Sequence, residues 1–159
     1  MKRLISIGLA AALSVASFHA VAAEGPPSPE DQAKASVETR QGLFKVMAFS
    51  YRPVGGMLRN QTPFDAAAAQ KAAERVVELG AFIPDVFTAD TRKFPAIKTA
   101  ALEGIWGSQA DFKVKADDLV KAATVMVAAA KTGDKDATLK AAGAVGKACG
   151  GCHDQYRAK

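Results

Sequence analysis

The feature that most constrains this chain is a pair of cysteines three positions apart with a histidine directly after them, Cys149-Gly150-Gly151-Cys152-His153. On a helix, residues at i, i+3 and i+4 share one face, so both thiols and the imidazole can reach the same object. Cys-x-x-Cys-His is the signature of covalent c-type haem attachment, in which the thiols bind the haem vinyl groups and the imidazole binds iron. A chance match, a structural disulfide and a redox Cys-x-x-Cys pair are the alternatives.

Residues 1–23 have the organisation of a secretory signal peptide. Met1-Lys2-Arg3 is positively charged, residues 4–18 are apolar, and residues 20–23 are small enough for cleavage after Ala22 or Ala23. A membrane anchor is the alternative, but the apolar stretch is shorter than the roughly 20 residues that span a bilayer. We therefore expect residues 1–23 to be removed on export and residues 24–159 to form one mature domain.

The charge of the mature chain does not indicate a nucleic acid partner. Loss of Lys2 and Arg3 lowers the formal net charge from +5 to +3. No run of basic residues alternates with aromatic ones, as nucleic acid binding would favour. After residue 23, no stretch of the sequence is long and apolar enough to predict a membrane span.

Both cysteines of the chain lie in the motif, and the predicted export leads to an oxidising compartment. A disulfide between them would close a very small loop and stabilise little. A thioredoxin-type redox pair needs a βαβ context, and no strand alternation is evident nearby. Zinc takes about four ligands, whereas the mature chain offers two cysteines and only His153. Haem attachment uses these three residues and requires no others.

Two helices are predicted in the first half of the mature chain. The first begins near Glu30 and carries an apolar stripe that Pro53 must kink or interrupt. The second is alanine-rich, begins with Asp65 or Thr62 as its N-cap, and runs to about Leu79, where Gly80 closes it. The stripe of the first helix consists of Val37, Phe44, Met47, Tyr51, Val54 and Leu58.

Two further helices are predicted after a long connection at residues 81–107, a length typical of a segment that covers something. Ser108 is predicted to cap the third helix, which runs to about Lys131. The fourth runs from about Asp136 to Arg157 and carries both cysteines on its core face. Four amphipathic helices with two short turns and one longer connection predict an all-α, antiparallel four-helix bundle.

The chain resembles the class II c-type cytochromes, and within them the cytochrome c′ family. Residues 149–157 (CGGCHDQYR) are similar to the family's CxxCHxxYR ending. Residues 39–47 (TRQGLFKVM) resemble its haem-facing segment on the first helix. Pro63-Phe64-Asp65 resembles the start of its second helix, and residues 99–106 (TAALEGIW) its TKALPEIW stretch. These segments follow the family order and span the mature chain.

The resemblance implies one covalent haem c and a role for each matching residue. Cys149 and Cys152 would form the thioether links, and His153 would be the axial iron ligand. Arg40 and Gln41 match residues that contact the haem propionates; a solvated helix face is the alternative. Thr99 would hold the haem edge. Arg157 would lie on the proximal side, or would simply be a cation favoured at a helix C-terminus.

The residue opposite the iron decides the function that the resemblance implies. Low-spin members have a methionine where this chain has Phe44, whose ring cannot ligate iron. We therefore expect five-coordinate, high-spin iron below an apolar distal site that binds NO and CO and binds O₂ poorly. The resemblance also implies electron transfer with a redox partner protein, a periplasmic location, and a homodimer formed through the first two helices.

Two other functions remain open from the sequence. Met47, one turn after Phe44, is the nearest rival iron ligand and would make the protein a low-spin His/Met electron carrier. A haem-free helical interaction module with a CGGC disulfide is the second alternative. An enzyme is not expected, because no distal His, Glu or paired carboxylate is evident for acid–base catalysis.

Overall fold

The protein is described here by a computed structural model that covers residues 25–159, so the signal peptide predicted at residues 1–23 lies outside the described residues. Throughout the described part the secondary structure is helical and no β-strand is formed. Residues 25–159 contain four long helices and two single-turn helices. They are α1 (Pro29–Leu58), α2 (Ala66–Ala81), α3 (Ile83–Val86), α4 (Gly104–Gly107), α5 (Gln109–Lys131) and α6 (Lys135–Tyr156).

The four long helices form the predicted antiparallel bundle. Residues 59–65 join α1 to α2 and residues 132–134 join α5 to α6, and connections this short make sequential helices antiparallel neighbours. The most extensive packing is between α2 and α5 and between α5 and α6. By contrast, α1 and α6 contact each other sparsely, which leaves room between them. None of the helices in residues 25–159 has the length and apolar character that a bilayer crossing needs.

Side-chain caps explain where three of the long helices begin. The Ser28 hydroxyl accepts a hydrogen bond from the Asp31 amide at 3.2 Å, and the Asp31 carboxylate accepts one from the Ser28 amide at 3.3 Å. Asp65, one of the two predicted caps, accepts from the Ala68 amide at 2.9 Å. At the start of α6, the Asp134 carboxylate accepts a hydrogen bond from the Ala137 amide at 2.9 Å. Ser108 precedes α5 as predicted, but its side chain makes no capping hydrogen bond.

Pro53 does not interrupt the first helix, because α1 continues through it to Leu58. Proline removes one backbone donor and frees the carbonyl four residues earlier, here that of Phe49. Phe49 is 62% exposed, so water can satisfy this carbonyl. The sequence predicted that Pro53 would kink or interrupt this helix, and the structure shows no interruption.

Gly80 does not close the second helix, which runs on to Ala81. Gly80 is buried against α5, and a Cβ atom at this position would lie 2.9 Å from Cγ2 of Val120. The glycine is therefore required by the close approach of two helices. In the long connection that follows, α3 and α4 are regular single turns that the irregular sequence pattern did not reveal.

Candidate functional site

A cavity of about 530 Å³ opens between α1, α5 and α6 at the place where α1 and α6 separate. Most of its wall is apolar, from residues such as Ile83, Phe87, Ile105, Phe112 and Leu119. The size is within the range of small-molecule and cofactor sites. All the residues predicted from the sequence as site residues line it. They are Arg40, Gln41, Phe44, Thr99, Cys149, Cys152, His153 and Arg157.

Cys149, Cys152 and His153 face the cavity together from the last two turns of α6. Both thiols are free and half-buried, so the disulfide of the haem-free alternative is not formed in this structure. Burial raises the pKa of both thiols above the usual value for cysteine. Burial, together with the positive charge of Arg157, lowers the pKa of His153. The imidazole is therefore held in its neutral form, which is the form that ligates a metal.

The chemistry of these groups fits a covalently bound haem. Two protonated thiols and a neutral imidazole share one face of a helix and border an apolar cavity of cofactor size. Side chains added at Gly150 or Gly151 would meet no atom within 4 Å, so the backbone between the thiols is open. Within residues 25–159, no group of three or more His, Cys, Asp or Glu side chains is placed to hold a bare metal ion.

Arg40 is not on a solvated helix face, because it is only 3% exposed. Its Nε donates to the Val86 carbonyl at 2.8 Å, its Nη1 to the Thr91 hydroxyl at 3.1 Å, and its Nη2 to the Ala89 carbonyl. Burial lowers the pKa of Arg40, and the nearby Asp90 carboxylate opposes this change. The guanidinium thus joins α1 to the connection that follows α3. Two of its five N–H groups are left over for a ligand in the cavity.

Arg40 is also enclosed by aromatic rings. Its guanidinium carbon lies 4.8 Å from the ring centroid of Phe87 and 5.2 Å from that of Trp106. The Trp106 indole nitrogen donates to the Phe87 carbonyl at 3.1 Å, which fixes the two rings relative to each other. Such cation–π contacts stabilise a cation that has lost water. Sequence reasoning missed this arrangement, since its hydrogen-bond acceptors are mostly backbone carbonyls of an irregular segment.

Thr99 and Arg157 lie at the exposed mouth of the cavity, where two backbone segments meet. The Thr99 hydroxyl accepts from the Ala101 amide at 3.1 Å, which shapes its own turn. The Leu102 amide donates to the Tyr156 carbonyl at 3.0 Å, and the Ala158 amide to the Ala100 carbonyl at 2.8 Å. The connection before α4 is thereby attached to the C-terminal end of α6. Gln41 is exposed at the same mouth, on α1.

Phe44 and Met47 form part of the α1 wall of the cavity. The Phe44 ring is half-buried and packs edge-on against Phe87, with centroids 6.3 Å apart. Met47 is only 7% exposed. The Tyr51 hydroxyl donates to the Ala142 carbonyl at 3.0 Å, and burial raises the pKa of this phenol. The wall of α1 therefore presents mainly an apolar surface to the interior.

Two basic residues of the wall were not predicted as site residues. Lys45 is exposed on α1, and Lys115 is half-buried on α5. Lys115 lies near enough to Cys152 for its charge to oppose the rise in the pKa of that thiol. Lys115 lies three residues after Phe112, another residue of the wall, and therefore on the same face of α5.

Residues 35–157 match the sequence profile of the family described as Cytochrome C′. The chain belongs to the cytochrome c′ family. The resemblance noted in the sequence is thereby confirmed, and it covers all four long helices apart from the first turns of α1.

Two curated relatives come from Cereibacter sphaeroides. The chain is 33% identical to its cytochrome c′ over 160 residues, covering 100% of this chain and 99% of the relative. It is 35% identical to its cytochrome c-554 over 144 residues, covering 90% of this chain and 94% of the relative. Relatives named cytochrome c′ and cytochrome c-554 are about equally similar to this chain, so overall similarity does not show which of their properties it shares. That distinction depends on the residues of the site.

The fold is also similar to solved structures of the family. A nitric oxide complex of a mutant cytochrome c prime from Alcaligenes xylosoxidans superimposes with a TM-score of 0.70 at 31% identity. The match covers 80% of this chain and 97% of that chain. The prediction of a four-helix bundle of the cytochrome c′ type is confirmed by this likeness.

Proposed function

We propose that this chain is an exported c-type cytochrome that carries one haem c, binds NO and CO, and transfers electrons. The observation that carries the proposal is the shared cavity. Cys149, Cys152 and His153 line it on α6, and the apolar Phe44 lines it on α1. Membership of the cytochrome c′ family and the NO complexes among its structural relatives support the same function.

The residues of α6 attach the group and supply an iron ligand. Cys149 and Cys152 would hold the haem through thioether bonds, each thiol giving its sulfur to one carbon of a vinyl group and its proton to the other. The neutral imidazole of His153 would ligate the iron through a ring nitrogen. When bound, haem supplies a redox-active iron that accepts small ligands.

Cationic and polar residues at the wall and mouth suit the carboxylates of a haem. Arg40 has two N–H groups that its backbone and Thr91 partners leave free. Gln41 and Thr99 lie at the mouth, and Arg157 follows His153 by one helical turn. We assign Arg40 and Gln41 to the propionates, Thr99 to the haem edge, and Arg157 to the side of His153. A guanidinium pairs well with a carboxylate.

Phe44 determines which small ligands are retained. Its ring has no hydrogen-bond donor and cannot ligate iron, so Phe44 offers neither an iron ligand nor a hydrogen bond on the α1 side of the cavity. Bound O₂ gains stability from a donor beside it, whereas NO and CO depend less on one. An apolar wall also keeps water away from this side. The site therefore favours NO and CO over O₂.

The direct test combines three measurements on the protein as isolated. Intact mass under denaturing conditions should show one covalent haem, and a pyridine haemochrome assay should identify it as type c. The absorption spectrum of the reduced protein should be that of high-spin iron, and it should change when CO is added. A haem-free mass, or a six-coordinate low-spin spectrum with a thioether-to-iron band, would overturn the proposal.

A second candidate function has one observation in its favour, since Met47 is buried and lines the same cavity. If Met47 ligated iron, the protein would be a low-spin His/Met electron carrier. Met47→Leu would then convert a low-spin spectrum to a high-spin one. An unchanged spectrum would exclude this function.

We also propose a periplasmic homodimer. Val46 and Phe49 on α1 are 52% and 62% exposed, and Pro53 continues their stripe along the same face. Exposed apolar side chains in a row on one helix are typical of an interface. From the family resemblance we expect the partner to pack against α1 and α2.

N-terminal sequencing of the exported protein would test cleavage after Ala22 or Ala23.

A further inference from the structure

The last turn of α6 carries the proposed iron ligand within four residues of the helix end. His153 lies in this turn, and α6 ends at Tyr156. Helix ends normally open more easily than helix centres, because their last carbonyls lack partners in the helix. A ligand placed there keeps a fixed direction only when the end is held from outside.

Tyr156 holds this end with its hydroxyl group. The Tyr156 hydroxyl donates to the Asp111 carboxylate at 2.7 Å, and Asp111 is in the first turn of α5. The Gln155 side-chain nitrogen donates to the same carboxylate and to the Tyr156 oxygen, both at 3.1 Å. Three side chains therefore form one closed network between the beginning of α5 and the end of α6.

Four aromatic rings connect this network to the opposite wall of the cavity. Tyr156 is 4% exposed and packs edge-on against Phe112, with centroids 5.2 Å apart. Phe112 lies 4.8 Å from Phe87, which in turn packs against Phe44 at 6.3 Å. We call Phe44, Phe87, Phe112 and Tyr156 the aromatic row. The aromatic row extends from Phe44, which we assign to the ligand-binding side, to Tyr156 at the end of the helix that carries His153.

We propose that Tyr156 and Asp111 are positioning residues, which fix the direction of the His153 imidazole and, through the aromatic row, its placement relative to Phe44. This inference rests on the proposed haem function. Tyr156 and Asp111 need not touch the small ligand. They would act by restricting the last turn of α6, so that the strength of the iron–histidine bond and the rate of ligand entry depend on a hydrogen bond from Tyr156, which lines the cavity, to Asp111, which does not.

The test compares the holoprotein with Tyr156→Phe, which keeps the ring, and Asp111→Asn, which keeps a neutral acceptor. Asp117→Asn is the matched control, because Asp117 is on the same helix and its carboxylate pairs with Lys113 at 2.8 Å and accepts no hydrogen bond from α6. Each protein is first checked for covalent haem. Amide hydrogen exchange is then followed in residues 153–157, together with the iron–histidine vibration of the reduced protein and the CO association rate.

We expect Tyr156→Phe to exchange these amides about tenfold faster, which is the change produced by losing one hydrogen bond to a charged group. Asp111→Asn should exchange them faster by a smaller factor, because asparagine keeps a weaker, neutral acceptor. The iron–histidine vibration should shift or broaden and the CO association rate should change at least about twofold, while Asp117→Asn behaves like the wild type. Faster exchange with an unchanged vibration and CO rate would show a merely structural role and overturn the inference. Unchanged exchange would overturn it as well.

Failure of the inference can be distinguished from failure of the proposed function. If wild-type protein contains no covalent haem, the proposed function is wrong and this inference falls with it. If wild-type protein contains haem c and the two variants retain wild-type vibrations, only the positioning role is wrong.

Discussion

The guanidinium of Arg40 lies between α1 and the connection that borders the cavity, and its contacts explain why a charge is tolerated there. Two backbone carbonyls and the Thr91 hydroxyl accept its hydrogen bonds, and two aromatic rings enclose it. A buried polar group without partners would be strongly destabilising, and this one has three. Arg40 therefore orders the connection independently of any role toward haem.

Replacing Arg40 with Lys should lower the free energy of unfolding by about 2 kcal/mol, because an ammonium cannot reach three acceptors held in a fork. Arg52→Lys is the control, since Arg52 is exposed on the same helix and contacts only the Phe49 ring among the aromatics, at 5.3 Å. Urea unfolding should show less than about 0.5 kcal/mol for that change. Equal losses in the two variants would contradict this role.

Phe44→Met should convert the iron from high spin to low spin, because the new thioether can ligate iron from the α1 wall. Phe44→Leu, which supplies an apolar side chain without a lone pair, should leave it high-spin. Absorption and electron paramagnetic resonance spectra distinguish the two states. A high-spin Phe44→Met protein would show that residue 44 does not lie opposite His153.

Glycines in the long helices serve different purposes. Gly80 lets α2 approach α5, because any Cβ at this position would come within 2.9 Å of the Val120 side chain, whereas a Cβ at Gly146 in α6 would meet no atom within 4 Å. Both are unfavourable for an isolated helix by about the same amount. The difference lies entirely in what surrounds each helix.

Gly80→Ala should destabilise the protein by about 1–3 kcal/mol, since the added methyl group forces α2 and α5 apart. Gly146→Ala should instead stabilise it by about 0.5–1 kcal/mol, from helix propensity alone. Thermal unfolding shows whether each of the two variants is less or more stable than the wild type. Stabilisation by Gly80→Ala would mean that the α2–α5 contact is looser than in this structure.

The contact between α5 and α6 should also respond to alkaline pH. Burial and the hydrogen bond to Asp111 raise the pKa of Tyr156 to about 12. The unfolded chain loses this proton first, at its ordinary value near 10. Stability from Tyr156 is therefore complete below pH 10 and is lost as the pH rises toward 12. Unfolding free energies measured across this interval should fall less steeply in Tyr156→Phe, and equal slopes would contradict this assignment.

The sequence predicted the elements of the molecule better than their junctions. The helical stripes are local patterns, and they led to the four-helix bundle. The Cys149–His153 motif and the family resemblance together named residues that all line one cavity. The partners of Arg40, the role of Gly80 and the Tyr156–Asp111 hydrogen bond depend on segments 40 or more residues apart. Spacing along one helix contains no information about such contacts. Pro53 was predicted to kink or interrupt the first helix, and no interruption occurs because the loss of one hydrogen bond does not end a helix of 30 residues.

The exposed stripe on α1 leads to a prediction for the assembled molecule. Phe49→Glu should convert the proposed dimer to a monomer, because it places a charge in the middle of the apolar interface. Val125→Glu is the control, since Val125 is exposed to the same degree, 61%, but belongs to α5, which is not one of the two helices expected in the interface. Sedimentation analysis distinguishes the two states. A dimer that persists in Phe49→Glu would place the interface elsewhere.

The cavity between α1 and α6 has a consequence for chains that lack a bound group. Its wall is mostly apolar and its mouth opens to solvent, so water contacts these apolar side chains when nothing covers them. Apolar surface left in water adds nothing to stability, and we expect such chains to unfold more easily and to be degraded faster. Removal of unloaded chains would then need no separate sensor of loading.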